Sequence, residues 1–107
     1  MANSRLSRLR RVDELYDHED VINGPGVYLF YKTYNGPVRY VGRSDSNLYS
    51  RIRGRNYTYY KFKHIRSPKK AYEWECHYYH KFYDTIENMN HPACPPSSGL
   101  CCHMCGI

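Results

Sequence analysis

Glu75 is the first residue in this chain whose position calls for a chemical explanation. Ala71, Trp74, Tyr78 and Phe82 recur at spacings of three, four and four, which is the period of one helix face. Glu75 lies four residues after Ala71 and three before Tyr78, so it projects from the face that turns toward a core. Its neighbour Glu73 points elsewhere. A carboxylate on a buried face costs roughly several kcal/mol unless a cation or hydrogen-bond donors compensate. An arginine would make a structural ion pair there. A hard divalent ion such as Mg²⁺ would use the carboxylate as a ligand and fill its shell with water and phosphate oxygens.

Three other groups of residues have types that could do chemistry. Tyr28 and Tyr40 fall in two β-prone runs and could be cross-strand neighbours, although such a pair alone is ordinary sheet packing. Arg51, Arg53, Arg55, Lys61 and Lys63 interleave with Tyr57, Tyr59 and Tyr60. Cations there could hold phosphates while phenol rings stack on exposed bases. A solvated loop with a few core tyrosines fits the same stretch equally well. At the C-terminal end, His91 and Cys94, then Cys102 and Cys105, form two pairs at zinc-like spacing, with Cys101 or His103 able to replace one member. Spare thiols, or a site completed by another chain, are the alternatives. Cys76, in mid-helix, reads as a buried thiol.

The elements that must position these groups follow from local signals. Residues 1–11, with Arg5, Arg8, Arg10 and Arg11, read as a basic arm or the first turns of a helix. Val12, Leu15, Tyr16 and Val21 or Ile22 have rough helical spacing. Asn23-Gly24-Pro25-Gly26 breaks the chain by turn chemistry. Val27–Tyr31 and Val38–Gly42 then read as two strands joined through Asn35-Gly36-Pro37 into a β-hairpin. Ser44–Asn47 is rich in helix-capping residues, and the sequence predicts a short helix after it, over 48–53. Ser67-Pro68 opens the longest helix, which runs to Phe82 or Tyr83. Past Ile86 the chain is irregular.

Composition bounds the class. The chain has 107 residues, 41% of them hydrophobic and 16% aromatic, enough for one domain with a core and unlike a disordered tail. No apolar run approaches the ~18–20 residues that cross a bilayer, and no secretory h-region follows the basic start. These features lead to the expectation of a small cytoplasmic domain with no membrane association. Sixteen Lys and Arg against ten Asp and Glu leave a net charge of +6, which favours a polyanionic partner, nucleic acid first. A reducing compartment disfavours disulfides and raises the case for a structural Zn²⁺ in the tail. Thirteen tyrosines suit a half-wet core, because each ring ends in a hydrogen-bonding tip.

Gly26-Val27-Tyr28 and Tyr40-Val41-Gly42, with eleven residues between the two tyrosines and Arg51 on the helix that follows, resemble the paired motifs of the GIY-YIG nuclease family. Valine replaces isoleucine at each centre, a neutral change for strand packing. The family's helix arginine falls on Arg51 and its metal-binding glutamate on Glu75. Its late asparagine falls on Asn88, with Asn90 competing. A further tyrosine or histidine follows the arginine in the family; Tyr57, Tyr59, Tyr60 and His64 compete, and His64 is the choice. Two departures are Arg43, where lysine is frequent, and one residue inserted between Gly42 and Leu48. The resemblance covers residues 24–92.

The resemblance implies an α+β fold: a small, mainly antiparallel three-stranded sheet flanked by helices. Residues 12–92 would form the domain, 1–11 the arm, and 93–107 an irregular cysteine-rich tail. It further implies metal-dependent hydrolysis of nucleic acid, DNA first. Glu75 would hold Mg²⁺ (or Mn²⁺). Tyr28 or Tyr40 would orient or deprotonate the attacking water, with Tyr28 favoured. Arg43 and Arg51 would supply positive charge, and Arg53, Arg55, Lys61 and Lys63 would contact the nucleic acid. The rival expectation is a non-catalytic nucleic-acid-binding module on the same fold.

Overall fold

The computed structural model describes residues 6–17 and 24–88. Its elements are β1 (Arg10–Arg11), a 3₁₀ turn (Val12–Asp17), β2 (Gly26–Tyr31), β3 (Val38–Ser44), α1 (Leu48–Ile52), β4 (Tyr59–His64) and α2 (Pro68–Lys81). The strands pair antiparallel in the order β1-β4-β2-β3. β2 is flanked on both sides and every one of its residues is buried, which explains its unbroken apolar run.

Side-chain alternation divides the core in two. Tyr28, Phe30, Tyr60 and Phe62 pack with Leu48 and Ile52 of α1 and with Val12 and Leu15 of the 3₁₀ turn. Val27, Leu29, Tyr31, Val38 and Val41 pack on the other face with Ala71 and Tyr78 of α2. Both helices start where their caps are written. Asn47 Oδ1 accepts from Ser50 N–H at 3.0 Å, and Ser67 Oγ accepts from Lys70 N–H at 3.3 Å with Pro68 behind it. Phe82 caps α2, as its periodicity predicts.

The expected three-stranded sheet is corrected to four strands among the described residues. β4 lies in the stretch read as a basic loop. There Tyr60 and Phe62 face one core while Lys61 and Lys63 face the other, so a cationic strand is hidden in an alternating pattern whose lysines lay their stems on aromatic rings. The two-residue β1 is a second departure. Instead of a loose arm, residues 6–11 dock on β4: Ser7 N–H donates to Phe62 O at 2.8 Å, Phe62 N–H donates to Ser7 Oγ at 3.0 Å, and Leu6 and Leu9 join the α2-side core. The helix expected from Val12 is a 3₁₀ turn ending at Asp17, and residues 18–23 lie outside the described ones. No helix among the described residues is long and apolar enough to cross a membrane.

The outer edge of β3 is closed by the chain's later segment. Thr85 Oγ1 donates to Val38 O at 2.8 Å and Glu87 N–H donates to Arg39 O at 2.6 Å. Asn88 exchanges both bonds with Val41: Nδ2 donates to its carbonyl at 2.8 Å and Oδ1 accepts from its N–H at 3.0 Å. A strand edge that would otherwise invite pairing is thereby satisfied.

Candidate active site

The two motif glycines have one steric reason each. At Gly42 a Cβ would come within 2.6 Å of the Tyr28 ring, touching Cζ, Oη and Cε1. The outer end of the β2 phenol therefore sits against the backbone of β3, and only glycine leaves it room. At Gly26 a Cβ would strike the Lys63 carbonyl oxygen of β4 and sit 2.7 Å from Leu48 Cδ1, so β2, β4 and α1 close around that position.

Tyr28 is 2% exposed, and burial pushes its phenol up to about 12. Arg55 and Arg51 oppose that rise with positive charge, whereas Tyr40 and Glu75 reinforce it. Four groups from separated segments thus act on one hydroxyl. Tyr78, also buried, is held at about 12 chiefly by burial. Unfolded phenols release their protons near ~10. Between pH 10 and 12 the unfolded chain binds fewer protons than the folded one, so stability is intact below pH 10 and falls through that window. At ~1.4 kcal/mol per unit, each of the two phenols should remove about 2–3 kcal/mol, visible as a falling urea midpoint at pH 11.5 relative to pH 9.

Glu75, 7% exposed, faces inward as its spacing predicts. Its Oε1 accepts from Arg43 Nη1 at 2.6 Å, while Arg43 Nε donates to Asp45 Oδ1 at 2.9 Å. The Tyr72 ring lies 5.4 Å from the same guanidinium carbon. Arg43, the residue after the second motif, therefore links the sheet edge to α2 between two carboxylates. Of the two compensations open to Glu75, the arginine is present and belongs to the expected site itself.

The mouth on the Tyr28 face is aromatic. Phe30 stacks on Tyr57 (centroids 5.0 Å apart, planes 7° apart), and Tyr40 lies 6.0 Å from both rings. Arg55 covers Tyr40 at 5.2 Å and Phe30 at 5.6 Å. Gly54, at φ +73°, makes the turn that brings Arg55 back over the sheet. Tyr57 Oη donates to Glu87 Oε1 at 2.8 Å, and Glu87 also holds Lys32 and Arg39. Hydrogen bonds from Lys32, Tyr57 and Arg39 draw that carboxyl down to about 2. Sequence reading missed Glu87 and Asp45 as parts of this frame, and it weighed Tyr57 only as one of the interleaved rings and a competitor of His64; an acid beside Asn88 was the available signal for Glu87.

Arg51, whose charge reaches Tyr28, stands on the exposed side of α1. The remaining expected residues separate, and Arg53 is exposed at the C-terminal cap of α1. His64 ends β4 with its ring edge-on to Phe62 at 5.2 Å, on the Tyr28 face but opposite Gly26 in register. Asn88 spends its amide on Val41, so it holds the second motif's strand from behind. Lys63 is corrected as a nucleic-acid contact. It is 3% exposed, with Nζ 3.4 Å from the Trp74 ring centroid, because strand parity turns it into the α2 interface, and burial lowers its pKa. Lys61 lies on that same sheet face, over Tyr31, away from Tyr28.

Among the described residues no three His, Cys, Asp or Glu side chains cluster as a metal cage. One carboxylate from the protein, here Glu75 with its Arg43 partner, fits an ion that draws most of its ligands from water and phosphate, as Mg²⁺ does, and does not fit one needing a protein cage. The candidate zinc ligands His91, Cys94, Cys102 and Cys105, with the competing Asn90, lie outside the described residues. Compared with family models, curated proteins and solved structures, the chain gives no match.

Proposed function

We propose that this chain is a metal-dependent endonuclease of the GIY-YIG type that hydrolyses phosphodiester bonds in nucleic acid, DNA first. The observation that supports it most is the convergence on Tyr28. A phenol pressed against Gly42 feels Arg51, Arg55, Tyr40 and Glu75 together, and these residues come from β2, β3, α1, the turn after it and α2. Ordinary core packing needs a ring at this place but not three charges around its hydroxyl.

Glu75 would hold the Mg²⁺ (or Mn²⁺), which when bound supplies Lewis-acid polarisation of a phosphate oxygen. Arg43 orients the carboxylate by donating from Nη1 to its Oε1. Tyr28 carries its proton at neutral pH and positions the attacking water by hydrogen bonding. Arg55 and Arg51 ease its ionisation, so it gains base character where their field is strongest. Arg51, on an exposed helix face, meets the charge that develops on the phosphate with a fork of N–H donors. Tyr40 and Tyr57 present a ring surface, capped by Arg55, against which bases can rest.

The test is nicking of supercoiled plasmid with Mg²⁺ and with EDTA. Arg51→Ala is expected to lower kcat roughly 10²–10³-fold, the scale for removing one transition-state donor, with the binding constant changed only a few-fold. A loss confined to affinity would make Arg51 a simple phosphate contact. A second reading, a non-catalytic nucleic-acid-binding module, is favoured by the Arg43–Glu75 pair, which satisfies the acid without a metal. Binding without nicking under Mg²⁺ and Mn²⁺ selects it.

A further inference from the structure

A cavity of about 290 Å³ opens at the hairpin end of the sheet, lined by Leu9, Tyr31, Tyr34, Asn35, Gly36 and Lys61. It lies on the α2 side, beyond the residues placed around Tyr28. Tyr34 is 65% exposed, yet its ring is not loose. It meets Tyr59 edge-on at 5.9 Å, and Arg11 covers Tyr59 at 5.8 Å. The loop that carries it is closed by Gly36 N–H donating to Thr33 O at 3.3 Å. An open aromatic face is thus held at a set angle, which is what a stacking surface requires.

The charge in the wall is equally specific. Arg11 is paired with Asp13 at 2.9 Å. Lys61 touches the Tyr31 ring at 5.6 Å and has no carboxylate within ion-pair distance among the described residues. An ammonium beside an exposed ring, with an asparagine side chain on the rim, matches a flat heterocycle that bears a phosphate. We infer that this cavity is a subsite for an unpaired nucleotide of a single strand, its base stacked on Tyr34 and its phosphate held by Lys61.

The inference rests on the nucleic-acid part of the reading above, not on catalysis. Tyr31 lies three residues along β2 from Tyr28, roughly 10 Å at ~3.3 Å per residue. Tyr40 and Arg55 lie between the cleft and the hairpin tip. A strand leaving the cleft therefore meets Tyr34 after crossing that tip, so the cavity would take a nucleotide a short distance from the cut.

The experiment uses the full chain in EDTA with a labelled twelve-nucleotide oligo-dT. Tyr34→Ala should weaken binding about tenfold, the scale of one base–aromatic stack, while Tyr34→Phe binds as wild type. Lys61→Gln should reduce the slope of log K against log salt by about 0.7, one phosphate contact on a single strand. Amide resonances of Asn35 and Gly36 should shift on saturation. Unchanged affinity for Tyr34→Ala, or still resonances at Asn35 and Gly36, overturns the inference. So does tighter binding of thymidine 5′-monophosphate than of the oligonucleotide, which marks a free-nucleotide pocket. Failure of wild type to nick plasmid removes the nuclease reading alone, since the Tyr34 dependence of oligonucleotide binding is read without cleavage.

Discussion

Glu75→Gln should reduce Mg²⁺-dependent nicking at least 10²–10³-fold while leaving plasmid binding in EDTA within about twofold. Glutamine keeps the shape and an acceptor for Arg43 Nη1, now 2.6 Å from Oε1, but removes the charge a hard ion requires. The same change also tests the structural role. Breaking a fully buried ion pair costs roughly 3–5 kcal/mol. Here the cost should be smaller, because Asp45 still holds Arg43 at 2.9 Å and glutamine still accepts a bond. A fall in thermal midpoint with nicking at the wild-type rate would show that the acid serves only Arg43, and its role as the metal ligand would be lost. Loss of nicking with a small thermal change assigns the carboxylate to chemistry.

Gly42→Ala carries the second large effect, and it acts through one contact. The added methyl meets the Tyr28 ring within 2.6 Å, and that ring is itself enclosed against Phe30 at 5.1 Å. Overpacking of this kind costs about 1–3 kcal/mol, so the thermal midpoint should fall by roughly 5–20 °C for a domain of this size. Nicking at a temperature where the variant is folded should fall further than stability accounts for, since the displaced ring carries the hydroxyl. Two other glycines calibrate the result. At Gly26 the obstacle is the Lys63 carbonyl, backbone that cannot rotate away, so alanine there should destabilise more. At Gly54 nothing lies within 4 Å, and alanine should cost only the ~1–2 kcal/mol of a left-handed backbone. Calorimetry of the three variants should rank Gly26 worst and Gly54 mildest; a Gly42 variant as mild as Gly54 would refute the Tyr28 contact.

How far residues could be read in advance depended on how local their reasons were. Ser67 and Asn47 cap helices through bonds to backbone three residues away, so both helix starts were legible. Glu75 was legible as an inward-facing acid, because helical period alone turns it there. β4 was not, since Tyr-Tyr-Lys-Phe-Lys-His looks like a basic loop until partners on both sides show that its lysines lie over Tyr31 and Trp74. Lys63 was misplaced for the same reason: a lysine is read as surface unless a helix is known to cover it. Asn88 was matched to a family position, but its bonds to Val41 could not be anticipated across 47 residues.

Turns, caps, the β-branched and aromatic run of β2 and the inward face of α2 were thus written in neighbouring residues, because hydrogen bonds of short reach, strand propensity and helical period decide them. The choice of Arg43 as the partner of Glu75, the seating of the Tyr28 ring on Gly42, the closing of β3 by residues 85–88 and the field of Arg55 on a distant phenol were decided only by the packed chain. Those contacts join segments whose separation carries no local signal. They form when burying two cores brings the segments together, and strand register then sets which side chain meets which.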